Sequence, residues 1–125
     1  MKLKTLMLIK AAVCLFLGVP ILVAPVFIYS IFGASLNAAG VFPAREYGSA
    51  LIGTMLITWF AREAVESEAR RAILLGLCVY DALGLVVTLI ALFAGTLNAL
   101  GWLIVVIYLF FALGFGYFLA RSPKP

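Results

Sequence analysis

Four long runs of apolar residues, separated by short polar segments, make up most of the chain. A helix of about 20 apolar residues spans the ~30 Å hydrocarbon core of a bilayer. Barrel strands would alternate apolar and polar residues, and these runs do not. The pattern therefore predicts an all-α fold, an antiparallel bundle of four transmembrane helices in a single integral membrane domain over residues 1–125. The predicted spans cover residues 11–32, 44–61, 71–94 and 101–120.

The segments between the runs are short and carry residues typical of helix ends. Gly95 is suited to end the third span, and Asn98 is suited to cap the fourth. Pro43 fits the first turn of the second span. The segment REAVESEARR alternates charges at helical spacing, which predicts a helical turn or two extending spans two and three. Consecutive spans should therefore run antiparallel.

Composition agrees with a membrane setting. Of the 125 residues, 66% are hydrophobic and 11% are charged, with a mean hydropathy of +1.24, which leaves too few polar residues to cover a water-soluble globule. Arg45 is the one basic residue expected on the outer side. The others are all expected inside: Lys2, Lys4, Lys10, Arg62, Arg70, Arg71, Arg121 and Lys124. Because basic residues in short loops stay in the cytoplasm, we expect both ends of the chain to lie inside a bacterial inner (plasma) membrane.

Asp81 interrupts the third apolar run, in the stretch LCVYDALGLVV. The helical rise from Arg71 places it about 15 Å inside the membrane, near the midplane. A carboxylate there costs about 2.5–3.5 kcal/mol on insertion scales. We therefore expect Asp81 to face the bundle interior, hydrogen-bonded and protonated much of the time. Cys78, Gly84 and Thr88 share its helical face, which is the predicted inward face.

Depth along the helices suggests several partners for Asp81. A proline in span one frees the carbonyl of Ile21 at nearly the same level. Thr54 and Tyr108 lie within about one turn of that level. Arg45 lies on the order of 10 Å away along the axis, near the limit that two side chains can bridge. The sequence leaves these four alternatives open.

Asp81 has three possible roles: fixing the helix register, handling a proton or cation, and contacting a partner subunit or ligand. Arg45 and Glu46 lie at the start of span two, where the helix dipole favours the negative charge of Glu46. Both residues can act as interfacial anchors, or Arg45 can reach toward Asp81. The candidate functional polar residues are Asp81, Arg45, Glu46, Thr88, Tyr108 and Thr54.

The sequence contains no recognisable catalytic chemistry. Histidine, the most common general base, is absent. Cys14 and Cys78 are far apart in the sequence, and we interpret them as small buried hydrophobic residues. We find no nucleophile beside a base, no phosphate loop and no metal-ligand cluster, so we predict no catalytic residue, no metal and no cofactor, and we expect no enzyme. The net charge of +4 suits anionic lipid headgroups, and no basic stripe predicts nucleic-acid binding.

Five short segments resemble small uncharacterised bacterial inner-membrane proteins of the four-helix, DoxX-like kind. These segments are LVAPVFIYSIFG, AREYGSALIG, RRA at the start of span three, GTLNALGW and ALGFGYFLA. The resemblance implies a four-span bundle in the plasma membrane. It transfers no catalytic residue, and Asp81 is not part of the shared pattern.

These observations predict a non-catalytic accessory or structural subunit that packs with other membrane helices, or binds an apolar ligand such as a lipid or quinone, in a larger assembly. Almost no soluble surface is left with which the chain would act alone. The alternative is a homo-oligomeric transporter or channel in which Asp81 cycles its proton.

Overall fold

The computed structural model describes residues 1–123, which form helices and no strands; Lys124, assigned above to the cytoplasmic side, lies outside the described residues. The all-α prediction is confirmed. The helices are α1 (Leu3–Val23), α2 (Pro25–Ile31), α3 (Ala38–Ala61), α4 (Glu68–Phe93) and α5 (Gly101–Arg121).

The helices pack mainly as two pairs, α1 with α3 and α4 with α5. The α1/α3 pair is antiparallel, since Gly18 faces Leu51 while Lys4, a few turns earlier, reaches Glu63 just beyond α3. The α4/α5 pair is also antiparallel, and α1 contacts α5 between the pairs. One end of the bundle, here called the basic end, carries Lys2, Lys4, Arg62, Arg70, Arg71 and Arg121, and the loops 32–37 and 94–100 lie at the opposite end.

In the described part of the chain, three helices, α1, α4 and α5, are long and apolar enough to cross a membrane. The chain is therefore a small multi-pass membrane protein. Helix α3 has 24 residues but is not among those three, since Arg45 and Glu46 lower its mean hydropathy. Its membrane crossing stays a prediction.

The first predicted span, residues 11–32, is two helices and begins earlier than expected. Helix α1 starts at Leu3, so Lys10 belongs to the helix. The helix breaks at Ala24, whose φ of −136° and ψ of 62° are not helical, and Pro25 then opens α2. A proline disfavours helical geometry in the residue before it, which explains the break.

Two other boundaries differ from prediction. Helix α3 begins at Ala38 rather than at residue 44, because the side chain of Asn37 caps it by accepting a hydrogen bond from the Gly40 amide at 2.9 Å. Pro43 consequently lies inside the helix rather than in its first turn. Residues 62–67 form a loop instead of the expected helical turns. Ser67 is the N-cap of α4, and its hydroxyl accepts a hydrogen bond from the Arg70 amide, so the helix begins only at Glu68.

At the opposite end, the α4–α5 loop is tied to the end of α2. Gly95 adopts a φ of 79° directly after α4, as predicted for a residue that ends the helix. Asn98 accepts a bond from the Leu100 amide at 3.0 Å but does not occupy the cap position of α5. Its own amide and side chain donate to the carbonyls of Phe32 at 2.8 Å and Ile31 at 3.0 Å. Asn98 therefore joins the α4–α5 loop to the end of α2.

Candidate functional site

A buried ion pair joins the two helix pairs at the centre of the bundle. The ammonium of Lys10 on α1 donates a hydrogen bond to Oδ1 of Asp81 on α4. The side chains are only 3% and 0% exposed. Asp81 therefore faces the interior, as its position in an apolar run predicted.

Lys10 was not among the predicted partners of Asp81, and its predicted place was on the cytoplasmic side. That assignment was wrong, because α1 begins at Leu3 and carries Lys10 into the bundle. The signal was available in the helical spacing: Met7 and Cys14 lie three residues before and four residues after Lys10, and both are buried on the same face. A lone acid in a membrane helix also requires a partner.

Two aromatic rings surround the ammonium. The Lys10 Nζ atom lies 4.8 Å from the centre of the Tyr80 ring and 4.5 Å from that of Phe111. Tyr80 precedes Asp81 on α4, and Phe111 on α5 is 1% exposed. The negative faces of the rings attract the cation, and this attraction grows where water is excluded.

Three tyrosines from three helices extend this polar site. The hydroxyls of Tyr47 on α3 and Tyr108 on α5 are 2.5 Å apart, and the Tyr80 hydroxyl donates to that of Tyr47 at 3.3 Å. The rings of Tyr80 and Tyr108 also pack edge to face with centres 6.1 Å apart. We call Lys10, Asp81, Tyr47, Tyr80 and Tyr108 the core polar cluster.

The position of Tyr108 depends on the absence of a side chain at Gly84. A Cβ atom placed on Gly84 would lie 2.5 Å from the Tyr108 ring. Next to it on α4, Thr88 is 7% exposed and donates to the carbonyl of Gly84 at 2.7 Å. Cys78 donates weakly to the carbonyl of Ala112 on α5. The predicted inward face of α4 is therefore its contact with α5.

None of the four partners predicted for Asp81 is bonded to it. Tyr108 belongs to the same cluster but pairs with Tyr47, and Thr54 donates to the Ala50 carbonyl of its own helix at 2.8 Å.

The carbonyl of Ile21 and the guanidinium of Arg45 make no hydrogen bond with the carboxyl group, whose Oδ1 accepts from Lys10 and whose Oδ2 has no partner among residues 1–123. Arg45 is exposed, and so is Glu46, outside the core polar cluster. The error arose from matching residues by depth alone, because depth does not determine which way a side chain points around its helix.

The two carboxyl oxygens of Asp81 differ in their hydrogen bonding. Oδ2 is buried and has no hydrogen-bond partner among residues 1–123. A buried carboxylate oxygen without a partner is costly and can accept a proton or a hydrogen bond. The cluster thus combines a fixed cation, an available acceptor and three hydroxyls, a set able to hold a proton.

Comparisons of the chain with protein-family models, curated proteins and solved structures found no match. The resemblance to DoxX-like proteins therefore stays a prediction. Fold and hydropathy together define a small multi-pass membrane protein with an ion pair in its core.

Proposed function

We propose that the chain is a non-catalytic accessory or structural subunit that packs against other membrane helices in a larger assembly. The observation that carries this proposal is the division of polar and apolar groups. Polar side chains inside the bundle bind one another across helices, whereas large apolar side chains on every helix point outward. Among the most exposed are Phe16, Phe27, Phe60, Phe93 and Leu113.

The core supports the same proposal. The ion pair and the tyrosine hydroxyls connect α1, α3, α4 and α5 to one another. A bundle held together in this way is a rigid unit whose outward surface is available for lipid or for other helices. We place this unit in a bacterial inner membrane with the basic end in the cytoplasm, in agreement with the distribution of its basic residues.

Purification from the native membrane in mild detergent tests the proposal. We expect a stoichiometric partner chain to remain bound through successive columns. Replacing the outward Phe16 and Phe60 by alanine should release the partner without changing the thermal stability of the isolated bundle. Recovery of the chain only by itself, or only as a homo-oligomer, would contradict the proposal.

A second candidate is a homo-oligomeric proton-coupled transporter or channel. It is favoured by one observation, the buried Oδ2 of Asp81, which has no hydrogen-bond partner among residues 1–123. Proton uptake into liposomes under a pH gradient, followed with an internal pH dye, tests it. Asp81→Asn and Tyr108→Phe should reduce uptake strongly, whereas Glu46→Gln, at an exposed acid, should leave it unchanged. Equal uptake by all variants and by protein-free liposomes would exclude this mechanism.

A further inference from the structure

An apolar groove runs along the outer surface between the start of α1 and the second half of α5. Its volume is about 410 Å³. Gly114 and Leu6 line its floor and pack closely, since a Cβ atom on Gly114 would lie 2.8 Å from the side chain of Leu6. Phe110 and Phe118 lie toward its two ends, about 12 Å apart along α5 by the helical rise.

Beside the groove lies Arg121, which forms no ion pair with an acidic side chain among residues 1–123. Tyr117 lines the groove, and Arg121 donates to its hydroxyl at 2.7 Å with the guanidinium 5.3 Å from the ring centre. In residues 1–123, the ion pairs are Lys4 with Glu63 and Lys10 with Asp81. Within residues 1–123, no acidic side chain therefore compensates the positive charge of Arg121 beside the groove.

We propose that the groove binds one acyl chain of an anionic phospholipid whose phosphate contacts Arg121. The shape suits a flexible chain better than a helix, because close helix packing in membranes uses small residues, whereas six of the seven residues that line this groove have large side chains and only Gly114 is small. The charge suits an anionic headgroup, which arginine binds through directed N–H groups. The inference requires only the membrane setting and is independent of the accessory-subunit proposal.

Native mass spectrometry of the detergent-solubilised protein, titrated with phosphatidylglycerol or phosphatidylcholine, tests the headgroup contact. We expect tighter binding of phosphatidylglycerol, and we expect Arg121→Gln to weaken it about fivefold, the size of one basic contact with an anionic lipid, without affecting phosphatidylcholine. Arg62→Gln is the matched control: Arg62 lies at the same end, 4.1 Å over the Trp59 ring, but outside the groove. Equal losses in both variants would indicate diffuse surface charge and overturn the proposal.

Fluorescence quenching tests the acyl chain separately. Leu113 lines the groove and is 65% exposed, so Leu113→Trp should be accommodated without disturbing the core. In a background with Trp59 and Trp102 replaced by phenylalanine, phosphatidylglycerol with brominated chains should quench this tryptophan more than brominated phosphatidylcholine. The difference should disappear when Arg121→Gln is added. Quenching that is equal for the two lipids, or absent because a protein helix fills the groove, would overturn the site.

Discussion

At the residue scale, the pairing of Lys10 with Asp81 decides how the bundle is held together. Each charge alone would be expensive in the interior, and the other compensates it. Replacing both by apolar residues can be neutral, whereas removing one leaves an uncompensated charge. The pair therefore adds specificity to the meeting of α1 and α4 more than it adds net stability.

Lys10→Met should lower the free energy of unfolding by about 3–5 kcal/mol, because it leaves the carboxylate of Asp81 buried without its partner. Denaturant titration in mild detergent, followed by circular dichroism, measures this loss. The double variant Lys10→Met/Asp81→Leu should recover much of it.

Lys4→Met is the control for that experiment. Lys4 pairs with Glu63 at 2.5 Å, but both side chains are more than half exposed. Exposed pairs contribute little to stability, because solvent and salt screen their attraction. A loss in Lys10→Met no larger than in Lys4→Met would show that the buried pair does not hold the helices together.

The pair of Lys4 and Glu63 predicts a pH effect outside the membrane-spanning helices. The hydrogen bond and the charge of Lys4 lower the pKa of Glu63 below its ordinary value of 4.5. Because the folded-state pKa is depressed, this contribution to stability is present above pH 4.5 and is lost as the pH falls through the folded-state pKa. In a carboxyl-labelled NMR titration, Glu63 should titrate below 4.5 and return toward that value in Lys4→Met. An unchanged midpoint would disprove the contact.

At the element scale, glycines determine how closely the helices of each pair approach. Gly48 on α3 lies against the backbone of α1, where a Cβ would be 2.7 Å from the nitrogen of Leu22 and 2.9 Å from the carbonyl oxygen of Gly18. Backbone atoms cannot move aside as a flexible side chain can. The α1/α3 contact thus tolerates no side chain at this position, a geometry common between membrane helices.

Gly48→Ala should therefore destabilise the bundle by about 1–3 kcal/mol, the usual cost of overpacking. Gly53→Ala is the matched control on the same helix, because no atom lies within 4 Å of a Cβ placed there. It should be neutral or stabilising, since alanine favours helix by up to about 1 kcal/mol over glycine. Denaturant midpoints in the same detergent compare the two, and equal midpoints would argue against the close α1/α3 contact.

At the scale of the whole molecule, two helix pairs meet through the core polar cluster, with positive charge collected at one end. Apolar packing fills the half nearer the basic end, where Leu6, Met7, Leu74, Phe111 and Phe115 form a buried core. The hydroxyls of Tyr47, Tyr80 and Tyr108, on α3, α4 and α5, lie farther from the basic end. The interior is thus more polar away from the basic end.

Accessibility of introduced cysteines tests the proposed topology. In a background with Cys14 and Cys78 replaced by alanine, Lys2→Cys and Ser67→Cys should react with a membrane-impermeant maleimide from the cytoplasmic side. Thr96→Cys should react from the other side. All three positions are exposed. Labelling of residues 2 and 67 from opposite sides would mean that α3 does not cross, and the four-span proposal would fail.

The hydrophobic pattern alone predicted much of this protein. Long apolar runs can only be satisfied as helices in lipid, so the all-α class, the positions of α4 and α5 and the inward direction of Asp81 followed from the sequence. The sequence also predicted that Gly95 ends a helix, because glycine adopts the positive φ found there more readily than other residues.

Only the tertiary structure determined what Asp81 binds. An apolar run shows how deep a residue lies but not toward which helix it points, because that direction depends on how the helices rotate and pack. The meeting of Tyr47, Tyr80 and Tyr108 from three different helices was missed for this reason. Lys10 was missed because the predicted first span began one residue after it. The spacing of Lys10 between Met7 and Cys14 indicates a shared helical face, but Asp81 is 71 residues away in the chain, so only folding determines that the two charges meet.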